Sequence, residues 1–187
     1  PPGLAILSIS ERAKKYMVDH PPPYHYFNLP RYFRYAEHGE TPFTPAIPLF
    51  YALDEALAMI LEEGLANRIQ RHKICANAFY SGFEAMGIEP SPKEDVRSNT
   101  VLALKYPPGI DDKVFRRTLD ERYDVLVTGG FGDFRGKVFR VGCMGMVNSQ
   151  HVLITVGAIA STLNILGYKN SVGDAIEAAI KELKELE

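Results

Sequence analysis

A small α/β domain, with a largely antiparallel sheet covered by helices, is the fold the sequence predicts, and three observations carry it. Residues 100–143 contain short apolar, partly β-branched runs separated by glycine-rich and polar turns, the pattern of strands. Residues 49–86 and 149–183 instead repeat their apolar positions at steps of three and four, the pattern of helices laid on a core. The 187 residues are 46% hydrophobic with 15 glycines and 13 prolines, enough to bury the core of one domain, or of one domain plus part of another.

Taken in order, the chain opens on Pro1, Pro2 and Gly3, and the run from Gly3 to Ile9 predicts a buried strand. An opening without methionine, directly at a turn feeding such a run, reads as a segment of something longer. Ser10, with Glu11 and Lys14, starts a short polar helix that ends near the prolines at 21–23. Between His20 and Pro48 lie seven prolines and the aromatics Tyr24, Tyr26, Phe27, Tyr32, Phe33, Tyr35 and Phe43. That mixture forbids long helices and predicts an extended connector. The Pro-Pro-Pro-Tyr stretch could serve as an exposed polyproline ligand. The surrounding aromatics would then form a large bare apolar patch, so a buried seam between domains or subunits is the expected use.

Two helices follow. Leu49, Ala52, Leu53, Ala56, Leu57, Ile60 and Leu61 make one stripe, and Ile69, His72, Ala76, Phe79, Phe83 and Met86 continue it, with a break at Gly64 and a stop at Gly87. Such a pair is long enough to bridge two lobes. Beyond Pro90-Ser91-Pro92, strands are predicted at 100–106, 125–128 and 137–143, and Asp111 is placed to cap a helix running to Arg122. Asn148 caps a helix ending at Gly167, and Ser171 with Asp174 opens a final helix bearing Val172, Ala175, Ile176, Ala179, Ile180 and Leu183. The expected organisation is therefore 1–48 as the end of a large domain plus connector, 49–87 as inter-domain helices, and 88–187 as a C-terminal small α/β domain.

Charge and cysteine usage exclude several classes of function. With 21 Lys+Arg against 23 Asp+Glu spread along the chain, there is no basic stripe, so no nucleic-acid partner is expected. Cys75 and Cys143 are the only cysteines, far apart, which fits neither a disulfide framework nor a metal cluster and points to a reducing, cytoplasmic setting. No apolar run reaches 18 residues, so no membrane association is expected.

Arg140 is the residue most informative about chemistry. It lies mid-strand in Val138-Phe139-Arg140-Val141-Gly142, on the face shared with Val138 and Gly142, where a permanent charge requires an anion. The anion could be a structural Asp or Glu. It could also be a substrate carboxylate, which a guanidinium fork holds through two parallel charge-assisted bonds. The cluster Gly129-Gly130-Phe131-Gly132, with Gly136 beyond it, fits neither phosphate-loop pattern, since Val138 follows Gly136-Lys137 and Arg135 stands where a third glycine belongs. It reads as a wide turn whose backbone could line a cleft.

Thr41-Pro42-Phe43-Thr44-Pro45 places two hydroxyls just before a helix, an arrangement that suits a phosphate or an ordinary N-cap. His20, His25, His38, His72 and His151 show no metal-site spacing and read as structural histidines, and Cys143 as a buried small hydrophobe.

Several of these segments together resemble one family. Pro1-Pro2-Gly3 before an apolar strand, Thr41-Pro42-Phe43-Thr44-Pro45 before Tyr51-Ala52-Leu53-Asp54-Glu55-Ala56-Leu57, and Gly136-Lys137-Val138-Phe139-Arg140-Val141-Gly142 are similar in content, order and spacing to class V aminotransferases. Within the class, the serine-pyruvate and alanine-glyoxylate group is nearest. The resemblance implies the C-terminal part of a fold-type I pyridoxal-phosphate transferase, with the last strand and helix of the large domain at the front.

It further implies the cofactor pyridoxal 5'-phosphate, a homodimer with shared active sites, and exchange of an amino group between alanine, serine or glycine and a 2-oxo acid such as pyruvate or glyoxylate. By the same resemblance, Arg140 matches the arginine that binds the substrate carboxylate, and Thr44 a threonine that reaches the cofactor phosphate of the opposite subunit. Thr41 stands where some relatives carry a tyrosine making a similar contact. The family's Schiff-base lysine lies upstream of Pro1, so the chain alone is expected to be inactive. Other branches of the class, such as 2-aminoethylphosphonate aminotransferases, and a non-catalytic dimerisation module are the alternatives.

Overall fold

The structure, a computed structural model, describes residues Gly3 to Leu186, so Pro1 and Pro2 of the opening motif lie outside the described residues. It divides into two compact units, the first ending at Glu62 and the second beginning at Glu63.

In the first unit the predicted opening strand does not form. Residues 3–9 have no regular secondary structure and join no ladder, and Ile6 and Leu7 are exposed. A strand exists only by pairing, and all three strands of the described sheet come from residues 101–142. Helix α1 (Glu11–Asp19) starts as the sequence predicts, with Ser10 Oγ accepting from the Ala13 N–H at 3.3 Å. The connector is not wholly extended. It contains α2 (Leu29–Ala36), capped by the Asn28 side chain accepting from the Arg31 N–H at 3.1 Å. Pro30 falls in the first turn, where its missing N–H has no intrahelical partner to lose, so this proline starts a helix rather than preventing one. The rings of Tyr26 and Tyr32 gather around Phe43, with centroids 4.8 and 6.1 Å away. Helix α3 (Ile47–Glu63) follows, and no described residue of α1, α2 or α3 is buried within this chain.

The second unit holds the core. Gly64 has φ +81°, a conformation that glycine adopts without strain, and it separates α3 from α4 (Leu65–Ala85) as the sequence predicts. Ile69 is exposed, however, because the buried face of α4 begins only at Ile74 and continues through Phe79 and Phe83. Then come β1 (Val101–Lys105), α5 (Asp112–Tyr123), β2 (Thr128–Gly129), β3 (Val138–Gly142), α6 (Ser149–Ile165) and α7 (Val172–Leu183). The predicted caps form: Asp111 accepts from Lys113 and Val114, Asn148 from His151, and Ser171 from Asp174.

The sheet is antiparallel throughout, in the order β1-β3-β2, with Ala103 opposite Arg140 and Thr128 opposite Arg140 on the other side. Strand alternation sends Leu102, Leu104, Phe139 and Val141 into the helices and leaves Arg140 on the opposite face. The predicted strand 125–128 shrinks to Thr128–Gly129 because Val125 and Val127 pack into the core instead of pairing. After β3 the chain is held by Arg71, whose guanidinium is fixed by Glu63 and donates to the carbonyls of Gly145 and Val147.

Candidate functional site

Arg140 stands in a cleft of about 370 Å³ lined by Ser91, Pro92, Ala103, Phe131, Phe134 and Val138 together with Gly130. Its Nε donates to the carbonyl of Gly129 at 3.0 Å, and the ring of Phe131 lies 5.0 Å from the guanidinium carbon. The carbonyl fixes one edge of the guanidinium and the ring covers one face. Among the described residues, no carboxylate lies within ion-pair distance of Arg140, and its two Nη groups have no hydrogen-bond acceptor. A structural Asp or Glu partner is therefore absent there. What remains is a braced fork with free donors in a mostly apolar cleft, an arrangement chemically able to hold a carboxylate by two bonds.

The glycine-rich turn that the sequence predicts is what allows this bracing. The Gly130 N–H donates to the Val138 carbonyl at 2.8 Å. A Cβ on Gly130 would stand 2.2 Å from the Phe134 carbonyl oxygen, and one on Gly129 would stand 2.9 Å from Asp112 Oδ1. Position 130 therefore needs glycine for the turn to close and carry Phe131 over Arg140, whereas a side chain at Gly129 would displace the end of Asp112. The roles of the Gly129 carbonyl and of Phe131 were not legible beforehand. The only hint was an aromatic residue inside the glycine cluster.

Thr41 and Thr44 belong to the first unit, and Arg140 to the second. Thr44 is exposed, and its hydroxyl has no hydrogen-bond partner among the described residues. Thr41 Oγ1 donates to the Phe43 carbonyl at 2.8 Å, so its proton is already committed, and its side chain lines a shallow apolar cleft with Phe50, Tyr51 and Asp54.

The remaining candidates behave differently from one another. His72 is a structural residue, its Nδ1 paired with the Arg68 carbonyl at 2.7 Å. His20 pairs similarly with the Tyr16 carbonyl, and His25 meets Arg31, whereas His38 and His151 are exposed with no side-chain hydrogen bond among the described residues, so they are surface rather than satisfied structural groups. Cys143 is fully buried, and burial pushes its thiol up to about 12, which makes it unreactive as a nucleophile. No group of three or more metal-ligating side chains occurs among the described residues, and no helix there is long and apolar enough to cross a membrane.

Comparison with known proteins gives the same direction. No family model matches the chain. An uncharacterized aminotransferase of Methanocaldococcus jannaschii is 41% identical over 187 residues, covering 97% of this chain and 49% of that protein. Serine–glyoxylate aminotransferase of Arabidopsis thaliana is 34% identical, covering 96% of this chain and 45% of the relative. Among solved structures, pyridoxamine-pyruvate aminotransferase from Mesorhizobium loti superposes with a TM-score of 0.86 at 29% identity, covering 96% of this chain and 47% of that one. In sequence and in fold, this chain is similar to about half the length of aminotransferases of the class V type. It spans about half the length of the relatives it matches.

Proposed function

We propose that the chain is part of a pyridoxal-phosphate-dependent aminotransferase that moves an amino group between a small amino acid and a 2-oxo acid. The observation that carries this reading is Arg140, a guanidinium braced by the Gly129 carbonyl and Phe131, with no carboxylate partner among the described residues. Both substrates of such a reaction, the amino acid and the 2-oxo acid, carry a carboxylate next to the reacting carbon. One fixed guanidinium can therefore orient each in turn. A cleft near 370 Å³ suits a small molecule. The names of similar proteins, serine–glyoxylate, alanine–glyoxylate and pyridoxamine–pyruvate among them, support serine or alanine as donor and glyoxylate or pyruvate as acceptor, with glycine the amination product of glyoxylate.

Pyridoxal phosphate, when bound, supplies the electron sink that makes the substrate's α-proton removable. Toward it this chain offers Thr44, whose hydroxyl, without a partner among the described residues and just before α3, fits a phosphate oxygen. Thr41 fits less well, since its proton already serves the Phe43 carbonyl. In this reading the threonines serve the phosphate of a second subunit and the protein acts as a homodimer with shared sites. Phe131, exposed at the rim with Phe134, covers one face of the Arg140 guanidinium and so favours its grip on an anion.

The test is amino transfer by the full-length protein, loaded with pyridoxal phosphate, from L-alanine, L-serine and glycine to glyoxylate or pyruvate. Ethylamine and 2-aminoethylphosphonate, which lack the α-carboxylate, serve as comparison donors. Turnover confined to the α-amino acids is expected. Preferred turnover of 2-aminoethylphosphonate would contradict the reading.

A further inference from the structure

Behind the cleft, three polar side chains form a closed cluster for which the reaction described above has no use. Tyr106 Oη donates to Asp112 Oδ1 at 2.6 Å, Arg116 Nε donates to the same oxygen at 2.9 Å, and Arg116 Nη2 donates to Oδ2 at 2.9 Å. The ring of Tyr106 is held in the core between Phe115 and Phe139, with centroids 5.5 and 5.1 Å away. Asp112 and Arg116 are one helical turn apart on α5, and such a pair on an open surface would contribute only a few tenths of a kcal/mol. Here the carboxylate is largely covered, the tyrosine adds a third bond, and both oxygens are engaged.

The cluster presses on the strand that braces Arg140. A Cβ on Gly129 would stand 2.9 Å from Asp112 Oδ1 and 3.5 Å from Arg116 Nε, so the carboxylate lies directly against the Gly129 backbone. Gly129 in turn presents its carbonyl to Arg140 Nε at 3.0 Å. Strand β2 is only two residues long, is the edge of the sheet, and among the described residues pairs with β3 alone. A strand so short has little ladder to fix it, and its position depends on what packs beneath it.

We infer that Asp112, clamped by Tyr106 and Arg116, is a positioning residue for Arg140: it sets the place of Gly129 and so the direction in which the guanidinium presents its two Nη groups. The inference rests on the reading of Arg140 as the carboxylate clamp. Arg116 holds the Asp112 carboxyl below the usual carboxylate range, and burial together with the bond to Asp112 pushes the Tyr106 hydroxyl up, so the cluster keeps one charge pattern across neutral pH.

The experiment follows the Arg140 Nε–H by NMR in the isotope-labelled full chain, for wild type, Asp112→Asn, Arg116→Lys and Tyr106→Phe, with pyruvate as the probe. In the wild type a slowly exchanging Nε–H that shifts with pyruvate is expected. In Arg116→Lys and Asp112→Asn, exchange should quicken about tenfold and pyruvate affinity fall about three- to tenfold, with a smaller change of the same sign in Tyr106→Phe. The backbone spectrum of β3 should stay folded, a result that a purely structural cluster would not combine with a loosened Arg140. Unchanged exchange and affinity in the folded variants would overturn the inference. Should Asp112→Asn fail to fold, Arg116→Lys and Tyr106→Phe decide by the same criterion. If pyruvate does not move Arg140 even in the wild type, the clamp reading fails, while the exchange rates still decide whether Asp112 governs the guanidinium.

Discussion

Arg140 commits one nitrogen to the Gly129 carbonyl and leaves two without an acceptor among the described residues, and this division is what the proposed carboxylate clamp rests on. The glycines beside it are as specific as the arginine. A methyl group on Gly130 would collide with the Phe134 backbone oxygen, which cannot swing aside as a flexible side chain would. Gly130→Ala should therefore destabilise the protein by roughly 1–3 kcal/mol and carry Phe131 away from the guanidinium. Urea denaturation together with the Arg140 Nε–H shift reads both effects.

Asp112 adds a pH dependence whose sign is fixed. Its carboxyl titrates lower in the folded chain than when unfolded, so its contribution is fully present above the ordinary value near 3.8 and is lost as pH falls through the lower folded value. Wild-type urea midpoints should fall more steeply with acidification below about pH 4 than those of Asp112→Asn, and parallel curves would show that Arg116 does not hold the group in solution.

At the scale of elements, what was legible in the sequence divides by whether an element is specified locally. Helices α5, α6 and α7 start at Asp111, Asn148 and Ser171 because a side-chain oxygen there meets an N–H two or three residues on, a rule contained in a few consecutive residues. Residues 3–9 and 125–127 have apolarity suited to strands, yet a ladder needs a partner whose position no local pattern states, and none of these residues pairs. Helix α2 was hidden for the opposite reason, since Pro30 looks like a breaker until it is seen to occupy the first turn. Helix α4 carries the largest share of the core through Phe79 and Phe83, the latter stacked on Phe79 and edge-on to Phe139 behind the sheet. Phe83→Ala should cost about 3–5 kcal/mol in urea denaturation, because the cavity opens between a helix and a sheet that are both held by other contacts.

For the whole molecule, every residue of the buried cluster lies between Ile74 and Leu183, within the second unit. The 63–187 segment should therefore unfold in one cooperative urea transition when produced by itself, and a gradual, uncooperative loss of helicity would show that its core is insufficient. The first unit instead leaves Ile6, Leu7, Tyr24, Tyr26, Phe27, Phe50 and Tyr51 exposed.

At the same scale, the site was half legible. Arg140 stood out because alternation along β3 put a charge where apolar neighbours made it costly. The Gly129 carbonyl, Phe131 and the Asp112 cluster did not, because they meet it only through folding.

Measuring substrate and cofactor affinities side by side in the full-length protein, wild type against Arg140→Ala, tests the carboxylate clamp most directly. Loss of one charge-assisted bidentate contact predicts an amino-donor KM raised on the order of 10- to 100-fold, with affinity for pyridoxal phosphate unchanged. An equal loss of both affinities, or no loss of either, would contradict the assignment of Arg140 to the substrate.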